Sequence, residues 1–305
     1  MTELAPADLE HYRRDLTGYC YRMLGSSHDA EDAVQDTLAR AWRALDTFED
    51  RAGLRPWLYR IATNVCLDHL KGRKRRALPV DLESTGATLE HDVWVEPAAD
   101  RVVLAADGDP AETVVARESV RIAFVAALQH LAPKQRAVLI LRDVLKWRAN
   151  EVADFLDTST DAVNSMLRRA RTALADVRPT SSSGSAVDLE LLDRYVDAFE
   201  RFDLDALATL LHHDAILEMP PIDLCVAGVT EICRWLAESD ACRGAVFETV
   251  ALNGSPAVAL YQQGAPKAVQ VLDVDGDRIT AIHVFLDISL FPVLGLPPAP
   301  ALAHC

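Results

Sequence analysis

The sequence predicts a multidomain protein, with two all-α helical domains followed by an α+β domain. Residues 28–76 and 110–174 repeat apolar side chains at the 3.6-residue spacing of amphipathic helices. Past residue 187, helical segments give way to alternating stretches that meet at Asn253-Gly254 and Asp275-Gly276, dipeptides that favour tight hairpins. The stretches between have no period: 79–109 is acidic, and 179–186 is rich in Ser and Gly. The expected domains are therefore 1–78, 110–178 and 187–292, joined by linkers at 79–109 and 179–186 and followed by a Pro-rich tail at 293–305.

In the first domain, the run from His28 to Leu45 sets Ala30, Ala33, Val34, Leu38, Ala41, Trp42 and Leu45 on an apolar face. Its other side carries Glu31, Asp32, Gln35, Asp36 and Arg43. A second helix starts near Arg55-Pro56, where a first-turn proline loses no hydrogen bond. Leu58, Ile61, Ala62 and Val65 form its core stripe, while Trp57, Asn64, Asp68 and Lys71 share another face. Beyond lies Lys71-Gly72-Arg73-Lys74-Arg75-Arg76. Cations for phosphate, a flat ring for stacking and an amide for base edges are what holding an opened DNA strand requires.

In the second domain, Asp109-Pro110-Ala111-Glu112 resembles a capping box opening a helix that leads to Leu131. Ala137, Val138, Leu141, Val144 and Leu145 mark the next helix, and Ala149, Val152, Ala153 and Leu156 a short one after it. Asp157 stands where a helix end needs a left-handed residue, which Asp tolerates. Thr158 is the expected N-cap of a third helix, with Val163, Leu167, Ala170 and Leu174 inward and Asn164, Arg168 and Arg171 outward. A short helix, a tight turn and an Arg-bearing helix form the helix-turn-helix pattern.

The net charge of −15 is unevenly spread: +1 over 1–80, −8 over 81–118, +4 over 119–178 and −12 over 179–305. Local potential steers a polyanion, so the total does not exclude nucleic acid. The six cysteines show no CxxC and no ligand spacing, and are read as reduced and packed. No apolar run suits a membrane span or a signal peptide, so a cytoplasmic chain without membrane contact is expected.

YRMLGSSHDAEDAVQDTLARAWRALDTF with LRPWLYRIATNVCLDHLKGRKRR closely resembles region 2 of the bacterial sigma-70 superfamily, in its extracytoplasmic-function branch. LAPKQRAVLILRDVLKWRANEVADFLDTSTDAVNSMLRRARTAL resembles region 4 of the same branch. The resemblance implies an initiation factor, not an enzyme, with core RNA polymerase and promoter DNA as partners, no cofactor or metal, and a monomer when free. By position it places Glu31, Asp32, Gln35, Asp36 and Arg43 on core polymerase. It places Trp57, Tyr59, Asn64, Asp68, Lys71, Arg73, Lys74, Arg75 and Arg76 on the −10 element, with Asn64 reading an unstacked base. It places Thr160, Asp161, Asn164, Ser165, Arg168, Arg169 and Arg171 on the −35 element. This chain has Val163-Asn164-Ser165-Met166-Leu167 where many relatives flank the serine with basic residues, which bears on the −35 sequence. The resemblance further implies that the acidic linker threads the polymerase toward its RNA path.

Residues 187–292 resemble the cone-shaped SnoaL-like α+β fold in element order and in blocks such as NGSPAVALY. That fold commonly encloses an apolar pocket. Tyr195, Phe199, Glu218, Met219, Trp235, His283 and Asp287 are the candidate lining for a small-molecule ligand. His283 and Asp287, four apart on a predicted strand, would share a face. His212-His213-Asp214 reads as a helix end, not a metal site. The reading is a sigma factor whose tail regulates it in cis. The alternatives are a helix-turn-helix regulator with a ligand-sensing domain, and a bifunctional cyclase- or isomerase-like enzyme.

Overall fold

The computed structural model describes residues 6–48, 53–71, 76, 94–104, 110–175, 189–220, 222–239 and 242–300. The chain divides into two units, one of residues 1–76 with 101–179, the other of residues 77–100 with 180–305.

The first unit opens with α1 (Pro6–Glu10), α2 (Arg13–Leu24), α3 (Ser27–Arg43) and α4 (Leu54–His69). Ser26 caps α3, its hydroxyl accepting the Asp29 N–H at 3.0 Å. Ala30, Ala33, Val34, Leu38 and Ala41 of α3 are buried, as the apolar period requires. Trp42 departs from expectation: it is 64% exposed, because it stands about three turns beyond exposed Glu31 on the same face, while Ala41 takes the inward position.

After α5 (Asp100–Val103) come α6 (Pro110–Glu118) and α7 (Ile122–Gln129), two helices broken at Ser119–Arg121 where one was expected. α8 (Pro133–Leu139) continues into a π-helical turn over Ile140–Val144. The pair α9 (Ala149–Phe155) and α10 (Thr160–Ala175) completes the helix-turn-helix. Asp157 in the turn has φ of 48°, the left-handed conformation its position called for. The cap differs by one residue: Ser159, not Thr158, accepts the Ala162 N–H at 3.1 Å.

Two buried arginines knit this unit. Arg136 gives hydrogen bonds to Met23 O at the end of α2, to Gln129 Oε1 at 2.6 Å, and to the Gln129 and Leu131 carbonyls at the end of α7. Arg22 donates to the Gly18 and Ala116 carbonyls and to the Ser119 hydroxyl. Their partners are neutral oxygens, largely helix-terminal carbonyls that otherwise lack donors. Burial pulls both guanidinium groups down to about 10, so they stay protonated at neutral pH. Close packing beside Arg22 depends on Gly18, since a Cβ there would lie 2.6 Å from the Val103 carbonyl oxygen.

The second unit contains α11 (Leu189–Glu200), α12 (Leu204–Leu210), β1 (Leu211–Glu218), β2 (Cys225–Ala227) and α13 (Val229–Ser239). β3 (Ala245–Leu252), β4 (Ser255–Gln262), β5 (Ala265–Asp275), β6 (Arg278–Phe285) and α14 (Leu290–Val293) follow. The sheet order is β2-β1-β6-β5-β4-β3, with β1 parallel to β6 and the other pairs antiparallel. Asn253-Gly254 and Asp275-Gly276 turn two hairpins as predicted, and Gln263-Gly264 turns a third between them. Helices α11 to α13 bury Leu191, Tyr195, Phe199, Leu207, Ile232 and Leu236 against inward residues of the sheet such as Leu217, Leu260, Leu272 and Ile282.

Three expectations need correction. His212-His213-Asp214 lies on the first residues of β1, not at a helix end. Their ligand atoms lie within 4.8 Å of one another, on two exposed residues and one half-buried one. The tail past 292 starts as packed structure: Leu294 is buried, and the Tyr261 hydroxyl donates to the Pro297 carbonyl at 3.0 Å. The acidic linker is not a plain tether throughout. Trp94, Val95, Glu96, Ala98 and Ala99 are buried, and Ala99 forms an antiparallel bridge with Leu252. Asn253 accepts the Ala98 N–H on its side chain at 2.8 Å and returns its own N–H to the Ala98 carbonyl at 2.9 Å. Asp100 accepts the Gly254 N–H at 2.8 Å. The hairpin turn thus grips an otherwise irregular strand. The Asp109 capping box and the 179–186 linker lie outside the described residues.

Candidate nucleic-acid interface

All five residues expected to face a protein partner, Glu31, Asp32, Gln35, Asp36 and Arg43, are exposed along α3. They share that surface with Trp42, which was expected on the apolar face.

The −10 set divides. Asn64, Asp68 and Lys71 are exposed on α4, and Trp57 is half-buried. Asp68 sits 2.7 Å from the Lys71 ammonium and 3.7 Å from Arg40, and the hydrogen bond from Lys71 lowers its pKa first. Tyr59 is corrected: it is fully buried, edge-on to Tyr19 at 5.2 Å and tilted against Trp147 at 5.5 Å, so it has no surface to offer a strand in this arrangement. Arg76 is corrected too, being buried and ion-paired to Asp29 at 2.8 Å. Arg73, Lys74 and Arg75 lie outside the described residues.

On α10, Thr160, Asp161, Asn164, Arg168, Arg169 and Arg171 are exposed and Ser165 is half-buried. This is a continuous polar face opposite buried Val163, Leu167 and Ala170. Arg171 is held in a two-pronged pair with Asp143, at 2.9 and 2.6 Å, which raises its pKa through that hydrogen bond. Part of its charge is therefore already answered, while Arg168 and Arg169 carry no ion pair among the described residues.

In the second unit the candidate pocket residues separate onto two faces. Tyr195, Phe199 and Met219 join the helix-side core, with Trp235 packed against it, and the Tyr195 hydroxyl donates to Gln270 at 2.8 Å. Glu218 and His283, opposite each other in the β1–β6 register, alternate to the other face. The His283–Asp287 pair does not form: β6 ends at Phe285, and Asp287 accepts the Ser289 N–H instead. His283 places Nδ1 2.5 Å from Glu218 and Nε2 3.1 Å from Asp273, a residue on β5 that sequence reasoning missed. Burial alone would lower its pKa, but the charges of Glu218 and Asp273 and hydrogen bonds to both raise it to about 10. Period-2 alternation in Val271–Asp275 against Ala281–Phe285 held the signal for Asp273, yet the strand register needed to use it is a tertiary fact.

Comparison with known proteins agrees with this geometry. Residues 9–76 match the family model described as Sigma-70 region 2, and residues 121–174 match Sigma-70, region 4. The "ECF RNA polymerase sigma factor SigG" of Mycobacterium tuberculosis is 46% identical over 310 residues, spanning 95% of this chain and 83% of the relative. The "ECF RNA polymerase sigma factor SigW" of Bacillus subtilis is 31% identical over 163 residues, covering 53% of this chain and 82% of its own length. The crystal structure of the Mycobacterium tuberculosis extracytoplasmic function sigma factor SigJ superposes with a TM-score of 0.65 at 23% identity, covering 95% of this chain and 99% of that one, a likeness of fold.

Proposed function

Because this chain belongs to the extracytoplasmic-function RNA polymerase sigma factors and ends in a SnoaL-like domain, we propose that this domain regulates initiation in cis. Its handle is the segment connecting region 2 to region 4. The carrying observation is the grip of the Leu252–Gly254 turn on Ala98, Ala99 and Asp100. A connector held at one end has less reach, so docking it changes which separations of region 2 and region 4 are accessible.

Asn253→Ala tests this. The variant leaves the Ala98 N–H without its acceptor and puts Ala at φ of 55°, where Asn is tolerated better. We expect a loss of about 2 kcal/mol in connector docking, read as faster amide exchange at Ala98 and Gly254. In transcription assays with core polymerase, the variant should shift in the same direction as a chain ending near Arg178. Wild-type transcription from both would sink the proposal.

The exposed face of α3 is the surface proposed to dock on core polymerase. Replacing Asp32 and Asp36 by Lys should weaken that association about tenfold or more, with the fold intact because both are exposed. Trp42→Ala should do the same through lost apolar contact, since exposed aromatics anchor interfaces. Unchanged pull-down of core by both variants would remove α3 from the docking role. Asn64 on α4 and the polar face of α10 remain the proposed readers of the −10 and −35 elements.

The SnoaL-like domain is read as non-catalytic. Both ring nitrogens of His283 are occupied by carboxylates in a site only 1% exposed, so the histidine has no free position for a substrate. A small-molecule ligand against Tyr195, Phe199, Met219 and Trp235 would act by favouring one connector arrangement. Among the described residues no helix is long and apolar enough to cross a membrane. A chain working at the polymerase is proposed to act in the cytoplasm.

A further inference from the structure

Two cavities inside the first unit adjoin through shared residues. The larger, about 580 Å³, is walled on the region 2 side by Phe48 and Trp57, and on the region 4 side by Trp147 and Phe155. These form two aromatic pairs, with ring centroids 4.9 and 5.4 Å apart. The smaller, about 250 Å³, is lined by four cations, Arg14, Arg22, Arg55 and Lys146. Arg55 and Lys146 line both.

The smaller chamber is built for negative charge. Asp15 is its single carboxylate, 3.5 Å from Arg55. Arg22 is 5% exposed and hydrogen-bonded only to neutral oxygens, with Asp15 the one carboxylate of the chamber that acts on its charge. Two further donors are buried on this wall without a hydrogen-bond partner, Arg14 Nε and the hydroxyl of fully buried Tyr59. Lys146, left-handed at φ of 59°, lines the junction just past Leu145, the C-cap of the π-helical turn. A buried donor without an acceptor is costly, and an oxyanion supplies several acceptors at once. The larger chamber offers flat rings on both walls. Its two acidic residues are Glu151, engaged in capping α9 by accepting the Arg148 N–H at 2.6 Å, and Asp154, whose backbone carbonyl accepts from Arg60.

We propose that the two chambers together bind a nucleoside di- or triphosphate, the base among the aromatic pairs and the phosphates among the cations. The combined space falls in the range of small-molecule sites. Base stacking on aromatic faces and charge-assisted bonds to arginine are the chemistry such a ligand requires. Since its walls come from both regions, the ligand binds this closed arrangement better than one in which they part, and shifts the population toward it. That consequence for transcription rests on the sigma-factor reading above; the binding itself does not.

The test is calorimetry on the full chain with ATP, GTP, adenosine, guanosine and inorganic triphosphate. One nucleotide should bind about tenfold tighter than its nucleoside and than triphosphate alone. Lys146→Ala, at an exposed position, should weaken it roughly tenfold. Trp147→Leu, checked for folding by circular dichroism, should erase the advantage over triphosphate. No nucleotide binding at millimolar concentration, equal affinity for triphosphate, or an unaffected Lys146 variant would each overturn the assignment. Association with core polymerase, measured by fluorescence anisotropy without other nucleotides, should fall when the ligand is added. Unchanged association would remove the gating and leave the sigma-factor reading intact. A chain that fails to bind core even without ligand would instead count against the α3 docking surface.

Discussion

His283→Leu should destabilise the SnoaL-like domain by about 3–5 kcal/mol at neutral pH, a large share of a domain's stability. The leucine leaves Glu218 and Asp273 facing each other across a buried site with no cation between them. Glu218→Gln with His283→Leu should recover part of the loss, because one of the two buried charges is then gone. The pH profile gives an independent reading. His283 has its folded pKa raised to about 10 from an ordinary 6.5. Its contribution is fully present below the ordinary value and is lost as pH rises through about 10. Wild-type stability should therefore fall between pH 7 and 10, by at most about 1.4 kcal/mol per pH unit from this group. Urea unfolding at pH 7, 8.5 and 10 checks it. Parallel profiles for wild type and His283→Leu would mean that the histidine carries no proton in the folded domain.

Arg136→Met should loosen region 2 from region 4 at a cost of about 3 kcal/mol or more. The substitution keeps much of the apolar stem but strips donors from Met23, Gln129 and Leu131 at the ends of α2 and α7. Buried carbonyls at helix ends find no other donors inside the unit, so they regain hydrogen bonds only by meeting water, which requires the interface to part. Amide exchange in α2 and α7 should rise together, and the radius of gyration should increase. Exposure of Trp57 should follow, seen as a red shift and stronger quenching of tryptophan fluorescence against a Trp57→Phe control. Unchanged exchange across the interface would show that other contacts, such as Arg22 to Ser119, suffice to hold it.

Much of the architecture is local and so was legible in the residues. The α3 and α4 stripes, the left-handed Asp157 and the Asn253-Gly254 hairpin depend on period, turn chemistry and backbone sterics within a few positions. The polar face of α10 followed from the same helical period that buried Val163 and Leu167. Element ends were less secure: Ser159 displaced Thr158 as cap because the choice between adjacent hydroxyls rests on backbone geometry, not on residue type.

Other features depended on residues far apart in sequence. Trp42 reads as core by its apolar character but is exposed, because it shares the face of Glu31 while Ala41 takes the inward position. Tyr59 and Arg76 read as nucleic-acid contacts but are buried, Tyr59 beside Trp147 and Arg76 against Asp29. Asp273 acquired its partner only through strand register, and Trp94–Asp100 found order only because the Asn253 turn supplied its backbone partners. Sequence by itself determined most of the helices, two of the three hairpins and the family of this protein, since these are written in spacings shorter than a single element. Tertiary structure alone decided which charges are buried and paired, because burial and pairing depend on neighbours that chain folding, not chain order, brings together.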